Sequence, residues 1–420
     1  MTRRRWTILL GAIILGTGLL WAFLVHDPVE EGRCRLVRRK ADPDSQLMGL
    51  AFRFIEPLGG KPDIVEDLPA DFERPGYYQI KSGDRLIPVA VDYSKDLHLC
   101  IDADGDGILS EERCFTAKSV KATRISSSSH RFGPISPVSS DGGKADDGFY
   151  VNCYRTDAPA LLITCSAFFR TGKLRLAGQT YRVAVVDGDY DGSYHSVLSL
   201  PVDRPWRQPG SDVFAIDLNR NGKFEISMAL RSEVVPLGRL VQVDDAYYAI
   251  DIAPDGTSLT LSRTEPQFGT LVVEPNDADV RLRLWSDAAD QHLPSGRQWQ
   301  LPAGRYKAID AFIKKTDASG DVWTFSSDSS SGSTHLGPLD FFEIKPGETT
   351  SVRIGLPFVV KADVQRAGSG IVSIRPVLVG CADEEYQANF RRNYRRPPER
   401  TFKIVDEKGT VLETGKFEYG

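Results

Sequence analysis

From about residue 47 onward, apolar side chains recur at alternate positions in short runs broken by Gly, Pro, Asp and Asn. A period of two is that of a strand burying one face, so the chain reads as mainly β. TYRVAVVD (180–187), DVFAIDLN (212–219) and YYAIDIAPDGTSLTLS (247–262) carry the alternation most clearly. In the last, Pro254 and Asp255-Gly256 stand between Ile252 and Leu259 and predict a hairpin turn. From Phe268 the turn signals EPND, LPAG, KPGE, RAGSG and DEKG recur between apolar runs, a spacing that predicts one or two β-sandwiches. One stretch differs: ADEEYQANFRRNYRRPP (382–398) spaces Tyr386, Phe390 and Tyr394 four apart, with acids first and arginines last, and predicts a helix ended by Pro397.

The amino terminus has another pattern. Arg3, Arg4 and Arg5 precede an uncharged run over 6–25, 20 residues long, which as a helix would span about 30 Å, the thickness of a bilayer core. The expectation is a signal anchor over 1–26 that contacts the membrane through 6–25, with the basic end inside and the remaining chain extracytoplasmic, periplasmic or at the cell surface. Cleavage of that segment would make the protein secreted. The basic 27–46 stretch reads as a juxtamembrane linker, followed by a β domain over 47–123. A Ser/Gly/Pro-rich linker over 124–147 and a second β domain over 148–265 come next. Sandwiches are expected over 266–355 and 356–420.

With 41% hydrophobic and 26% charged residues, the chain can bury substantial cores. Its net charge of -5 makes a nucleic-acid partner unexpected. Outside the cytoplasm, six cysteines suggest disulfides. Local pairing is expected for Cys100 with Cys114 and for Cys153 with Cys165, leaving Cys34 and Cys381 as a distant pair or as thiols. No C-x-x-C or adjacent His points to zinc.

The candidate chemistry lies in three acidic loops. IDADGDGILSEER (101–113) places Asp102, Asp104 and Asp106 at positions 1, 3 and 5 of a calcium loop, Gly107 at 6 and Ser110 at 9. Arg113 occupies position 12, where a bidentate Glu belongs, and Glu112 stands one place early. DGDYDG repeats the half-motif with Asp187, Asp189 and Asp191, and DLNRNG with Asp217, Asn219 and Asn221. Calcium is expected at the 102–112 loop, where alternate carboxylates repel without a cation, and the 187–191 loop is a second candidate. At 217–221, with one carboxylate beside Arg220 and Lys223, a structural turn is favoured. All three follow strand-like runs, which suits a strand-loop arrangement better than helix-loop-helix.

These loops resemble, in part, those of EF-hand and dockerin proteins, lacking the acid at position 12. The strand-turn pattern around them is similar to exported bacterial β-sandwich proteins. The turn spacing after Phe268 resembles that of immunoglobulin-like or carboxypeptidase-regulatory-like sandwiches, and neither resemblance carries an activity.

No H-E-x-x-H, G-x-S-x-G, S-x-x-K, phosphate-loop or G-x-G-x-x-G pattern is present, so an enzyme is not the favoured class. The expected role is a membrane-anchored, calcium-stabilised binding or structural protein of the bacterial cell envelope, with a glycan, an envelope protein or an anionic polymer as candidate partner. Two alternatives are a glycan-processing enzyme using paired carboxylates and a polyanion-binding module using RRNYRRPPERTFK (391–403).

Overall fold

The computed structural model describes residues 30–42, 47, 51–82, 85–94, 96–120, 129–136, 148–153, 159, 161–200, 210–226, 231–274, 278–328, 335–367, 371–386, 390–398 and 401–416. The expected membrane helix over 6–25 lies outside these residues. Among the described residues no helix is long and apolar enough to cross a membrane. The elements described over their whole length are strands and a 3-10 turn at Gly337–Leu339.

Alternation builds the first sandwich. Pro75–Ser82 turns Tyr78 and Ile80 inward, and its antiparallel partner Arg85–Asp92 answers with Ile87, Val89 and Val91. With His98–Ile101 and Phe115–Thr116 they form a four-stranded meander. Its core is shared with a five-stranded sheet in the order Phe52–Ile55, Leu162–Ser166, Phe149–Cys153, Ser129–Ile135, Lys118–Val120. Burial of Val, Leu, Ile, Phe and Tyr side chains here contributes about 1.5–3 kcal/mol each. Cys100 and Cys114 form the expected disulfide. Cys153 and Cys165 do not pair. The register sets Cys153 opposite Leu162 and Cys165 opposite Tyr150, so the two thiols lie on opposite faces of the sheet.

The second sandwich takes in the segment expected as a linker. In EGRCRLVRRK, Cys34 and Leu36 point into a core while Arg33 and Arg35 stay exposed, the period-two pattern hidden among basic residues. Arg33–Arg35 pairs with Ser258–Thr264, in a sheet completed by Ala246–Ile252 and Leu240–Val243. Val37–Lys40 forms the edge of the facing sheet, ahead of Phe168–Leu176, Gln179–Val186, Val213–Ile216 and Val234–Pro236. The predicted hairpin is present: Ile252 pairs with Leu259, and Gly256 turns the chain at φ +66°.

In the third sandwich Phe268–Glu274 lies between Gln298–Pro302 and Thr349–Arg353, pairing parallel with the latter. It shares a core with Gln291–Gly296, Asp279–Ser286, Gly304–Thr316 and Val322–Asp328, built on Leu271, Leu282, Leu284, Tyr306 and Ile313. The carboxyl terminus departs from the expected fourth sandwich. Val359–Ala367, Ile371–Val379 and Glu385–Tyr386 make a three-stranded sheet, and Thr401–Val405 with Val411–Lys416 a separate hairpin. Tyr386, Phe358 and Phe390 instead join the third core.

Among the described residues of 382–398 no helix forms, because partners elsewhere in the fold take backbone groups: the His335 carbonyl accepts the N–H of Glu385 at 2.7 Å and the Val322 carbonyl that of Asn393 at 2.7 Å. Buried Glu384 accepts the N–H of Ala382 at 2.9 Å and the Tyr386 hydroxyl at 3.1 Å. Arg391–Arg392 pairs with Val322–Asp328, and Arg392 forms an ion pair with Asp321. Asn393 and Tyr394, at φ +50° and +63°, turn the chain away from helix.

Where the second and third sandwiches meet, Leu198 and Leu200 cluster with Trp285 and Ile309. Asp290 lies nearby. The residue is partly exposed, but its Oδ1 is buried without a hydrogen-bond partner. Burial pushes its carboxyl up to about 6, against the opposing pull of the Arg283 and Arg231 guanidinium groups. A carboxyl raised on folding contributes stability below its unfolded value, and that contribution is lost as pH rises through the folded one. Asp290→Asn should therefore flatten the fall in stability between about pH 4 and pH 7, a difference of roughly 1–2 kcal/mol. Parallel denaturant titrations at the two pH values measure it, and equal slopes in both proteins would refute it.

Candidate metal centre

All three acidic loops leave the end of a strand. Asp102 follows His98–Ile101, Asp187 follows Gln179–Val186 and Asp217 follows Val213–Ile216. Each of these first aspartates is buried, at 1, 6 and 3% exposure. Each accepts the N–H of the glycine five residues on: Gly107 at 3.1 Å, Gly192 at 3.0 Å and Gly222 at 2.8 Å. The three glycines sit at φ +84°, +83° and +82°, where a side chain is strained. At Gly107 a Cβ would also fall 2.2 Å from the Ile64 carbonyl oxygen. Gly107→Ala should cost about 1–3 kcal/mol, read as a lower melting temperature. An unchanged melt would mean that the turn does not need this backbone geometry.

The loops differ in what surrounds these turns. In the third, Asp217 accepts from Asn221 and Gly222, Asn219 from Asn221 at 2.9 Å, and Asn221 from Lys223 at 2.8 Å. Buried Glu233 closes it by accepting the N–H groups of Asn219 at 3.0 Å and Glu225 at 3.1 Å. Burial holds the Glu233 carboxyl above its usual range. This loop is a turn closed by its own hydrogen bonds.

The first loop does gather its acids: Asp102, Asp104 and Asp106 each bring an oxygen within 4.8 Å of the others. Asp104 and Asp106 are exposed and accept the N–H groups of Asp106 at 3.2 Å and Ile108 at 2.8 Å. Ser110 donates to Asp67 at 2.7 Å, while Glu112 folds back on the loop and accepts the N–H groups of Ala103 at 2.8 Å and Asp104 at 3.4 Å.

The second loop makes the most enclosed cluster, with a membership the loop sequence does not show. Asp187 and Asp189 are joined by Asp212, the three bringing oxygens within 4.8 Å of one another. Asp191 is exposed and takes the N–H of Ser193 at 2.7 Å instead. Asp212 precedes Val213–Ile216, which pairs with Gln179–Val186 so that Val213 lies opposite Val186. That register brings Asp212 beside Asp187. The signal that could have found it is an acid at the start of a strand predicted to neighbour the one that ends in the loop.

Asp212 is fully buried and accepts the N–H groups of Gly188 at 3.1 Å and Ser196 at 2.8 Å. Asp187 Oδ1 and Asp189 Oδ1 are buried and have no hydrogen-bond partner. An unpartnered buried polar oxygen costs about 1–3 kcal/mol, more when charged. Burial, and then the neighbouring aspartates, hold the Asp187 and Asp212 carboxyls well above their ordinary range. Asp189 is raised for the same reasons, with Arg53 pulling the other way. Arg53 is itself buried, donates Nε to the Gly188 carbonyl at 2.9 Å and Nη1 to the Lys81 carbonyl at 2.9 Å, and lies over the Tyr190 ring. Like Asp212, Arg53 was not among the expected site residues, since it comes from a distant strand.

Three carboxylates this close, two with an unpartnered oxygen, can hold a hard cation by oxygen ligation. Their mutual repulsion then becomes attraction to the ion, and deprotonated ligands are favoured. Comparison of the chain with protein-family models, with curated proteins and with solved structures finds no match to it, so the reading of this centre rests on its own geometry.

Proposed function

We propose that this protein is a calcium-stabilised, extracytoplasmic β-protein of the cell envelope, anchored through residues 6–25 and serving in binding or architecture. The observation that carries the calcium reading is that Asp187 and Asp189, each with a buried, unpartnered oxygen, cluster with Asp212 so that each carboxylate brings an oxygen within 4.8 Å of the others. Calcium accepts irregular sets of carboxylate and carbonyl oxygens, whereas magnesium demands near-octahedral geometry and retains waters. The buried, asymmetric cluster suits calcium better. The Cys100–Cys114 disulfide supports an oxidising compartment.

Calorimetric titration of the intact protein with calcium, repeated with magnesium, tests the reading. Expected is saturable calcium binding with a tight phase lost in Asp189→Asn, followed by a weaker phase from the exposed Asp102, Asp104 and Asp106. No binding heat, together with superimposable melts in calcium and chelator, would end it.

A further inference from the structure

Residues 187–200 enter the cores of the first two sandwiches and pack against the third. Tyr190 belongs to the first: its ring stacks on Phe149 at 5.0 Å and its hydroxyl donates to the Ala51 carbonyl at 2.9 Å. Ser82 also donates to the Tyr190 carbonyl, and Ser166 to that of Asp187. Tyr194 belongs to the second core, and its N–H bonds the Pro254 carbonyl at 3.0 Å. Leu198 and Leu200 pack on Trp285 and Ile309 of the third sandwich.

The acidic cluster grips this segment at two points. Asp187 and Asp189 begin it, while Asp212 accepts from Gly188 and Ser196 and donates its own N–H to the Ser196 carbonyl at 2.9 Å. Without a cation, repulsion among the three carboxylates opposes the contacts that keep residues 188–196 folded over Asp212. With one, the same charges draw together. We infer that a divalent cation at Asp187, Asp189 and Asp212 couples the three sandwiches, because it fixes a segment that enters the first two cores and packs against the third sandwich. The inference rests on the cation reading above and adds a consequence for the whole chain: the ion sets the rigidity between sandwiches as well as the order of one loop.

Hydrogen exchange of the intact protein in calcium and in chelator tests this, with calorimetric calcium binding measured alongside. Calcium should slow exchange about tenfold in 52–55 and 162–166 of the first sandwich and in 279–286 and 304–316 of the third. The double variant Leu198→Ala/Leu200→Ala should bind calcium with an affinity within about twofold of the wild type yet lose the response in the third sandwich alone. Saturable binding with protection confined to 187–212, or an unchanged third-sandwich response in the double variant, overturns the coupling and leaves the ion site standing. Absence of binding heat, or a tight phase that survives Asp187→Asn, removes the ion site and the coupling together.

Discussion

Asp187→Asn will abolish the tight calcium-dependent stabilisation while leaving the chelated protein at least as stable as the wild type. A ligand that binds only the folded state stabilises it by about 2.7 kcal/mol at a hundredfold excess over its Kd and about 4.1 kcal/mol at a thousandfold excess. The variant forfeits that gain because one of three clustered carboxylates is gone. In chelator the balance reverses. Asp187 Oδ1 has no partner, and burial together with the neighbouring aspartates opposes its ionisation. An amide keeps an oxygen to accept the Gly192 N–H, bonded at 3.0 Å in the wild type, and removes a buried charge. Paired melts of both proteins in calcium and in chelator measure the crossover. A calcium shift of equal size in both would show that the ion binds elsewhere.

Removing the cross-link with Cys100→Ala/Cys114→Ala will destabilise the first sandwich by about 3 kcal/mol, the chain-entropy value for a loop of this length. The two cysteines are 14 residues apart, and Asp102, Asp104 and Asp106 all lie between them. The same variant should therefore weaken the second, shallower phase of calcium binding while leaving the tight phase intact. Hydrogen exchange in 75–82 and 85–92 reports the first effect and calorimetry the second. Should the shallow phase persist unchanged, the Asp67 contacts to Ser110 and Leu109 are sufficient to hold the loop.

Much of the fold was legible in local pattern. Alternation located Gln179–Val186, Val213–Ile216 and the hairpin at Gly256, because a half-buried strand writes its period directly into the chain. The same rule was present but masked in EGRCRLVRRK, where exposed arginines dominate and only Cys34 and Leu36 reveal the inward face. Local pattern misled at 382–398, where four-residue spacing of aromatics matched a helix but His335 and Val322 accepted backbone N–H groups and Asp321 took Arg392.

The candidate site divides along the same line. The sequence by itself determined that three Asp/Asn-x-Asp/Asn-x-Asp/Asn-Gly turns occur at strand ends, since such a turn needs only adjacent residues and a glycine at positive φ. Tertiary structure alone decided which turn became an enclosed acidic cluster. It closed the third loop on Glu233, left the first at the surface, and brought to the second Asp212 from the start of the next paired strand and Arg53 from a strand far away in the chain. Burial, pairing register and the charge they concentrate are properties of the folded packing, and no local spacing of residues encodes them.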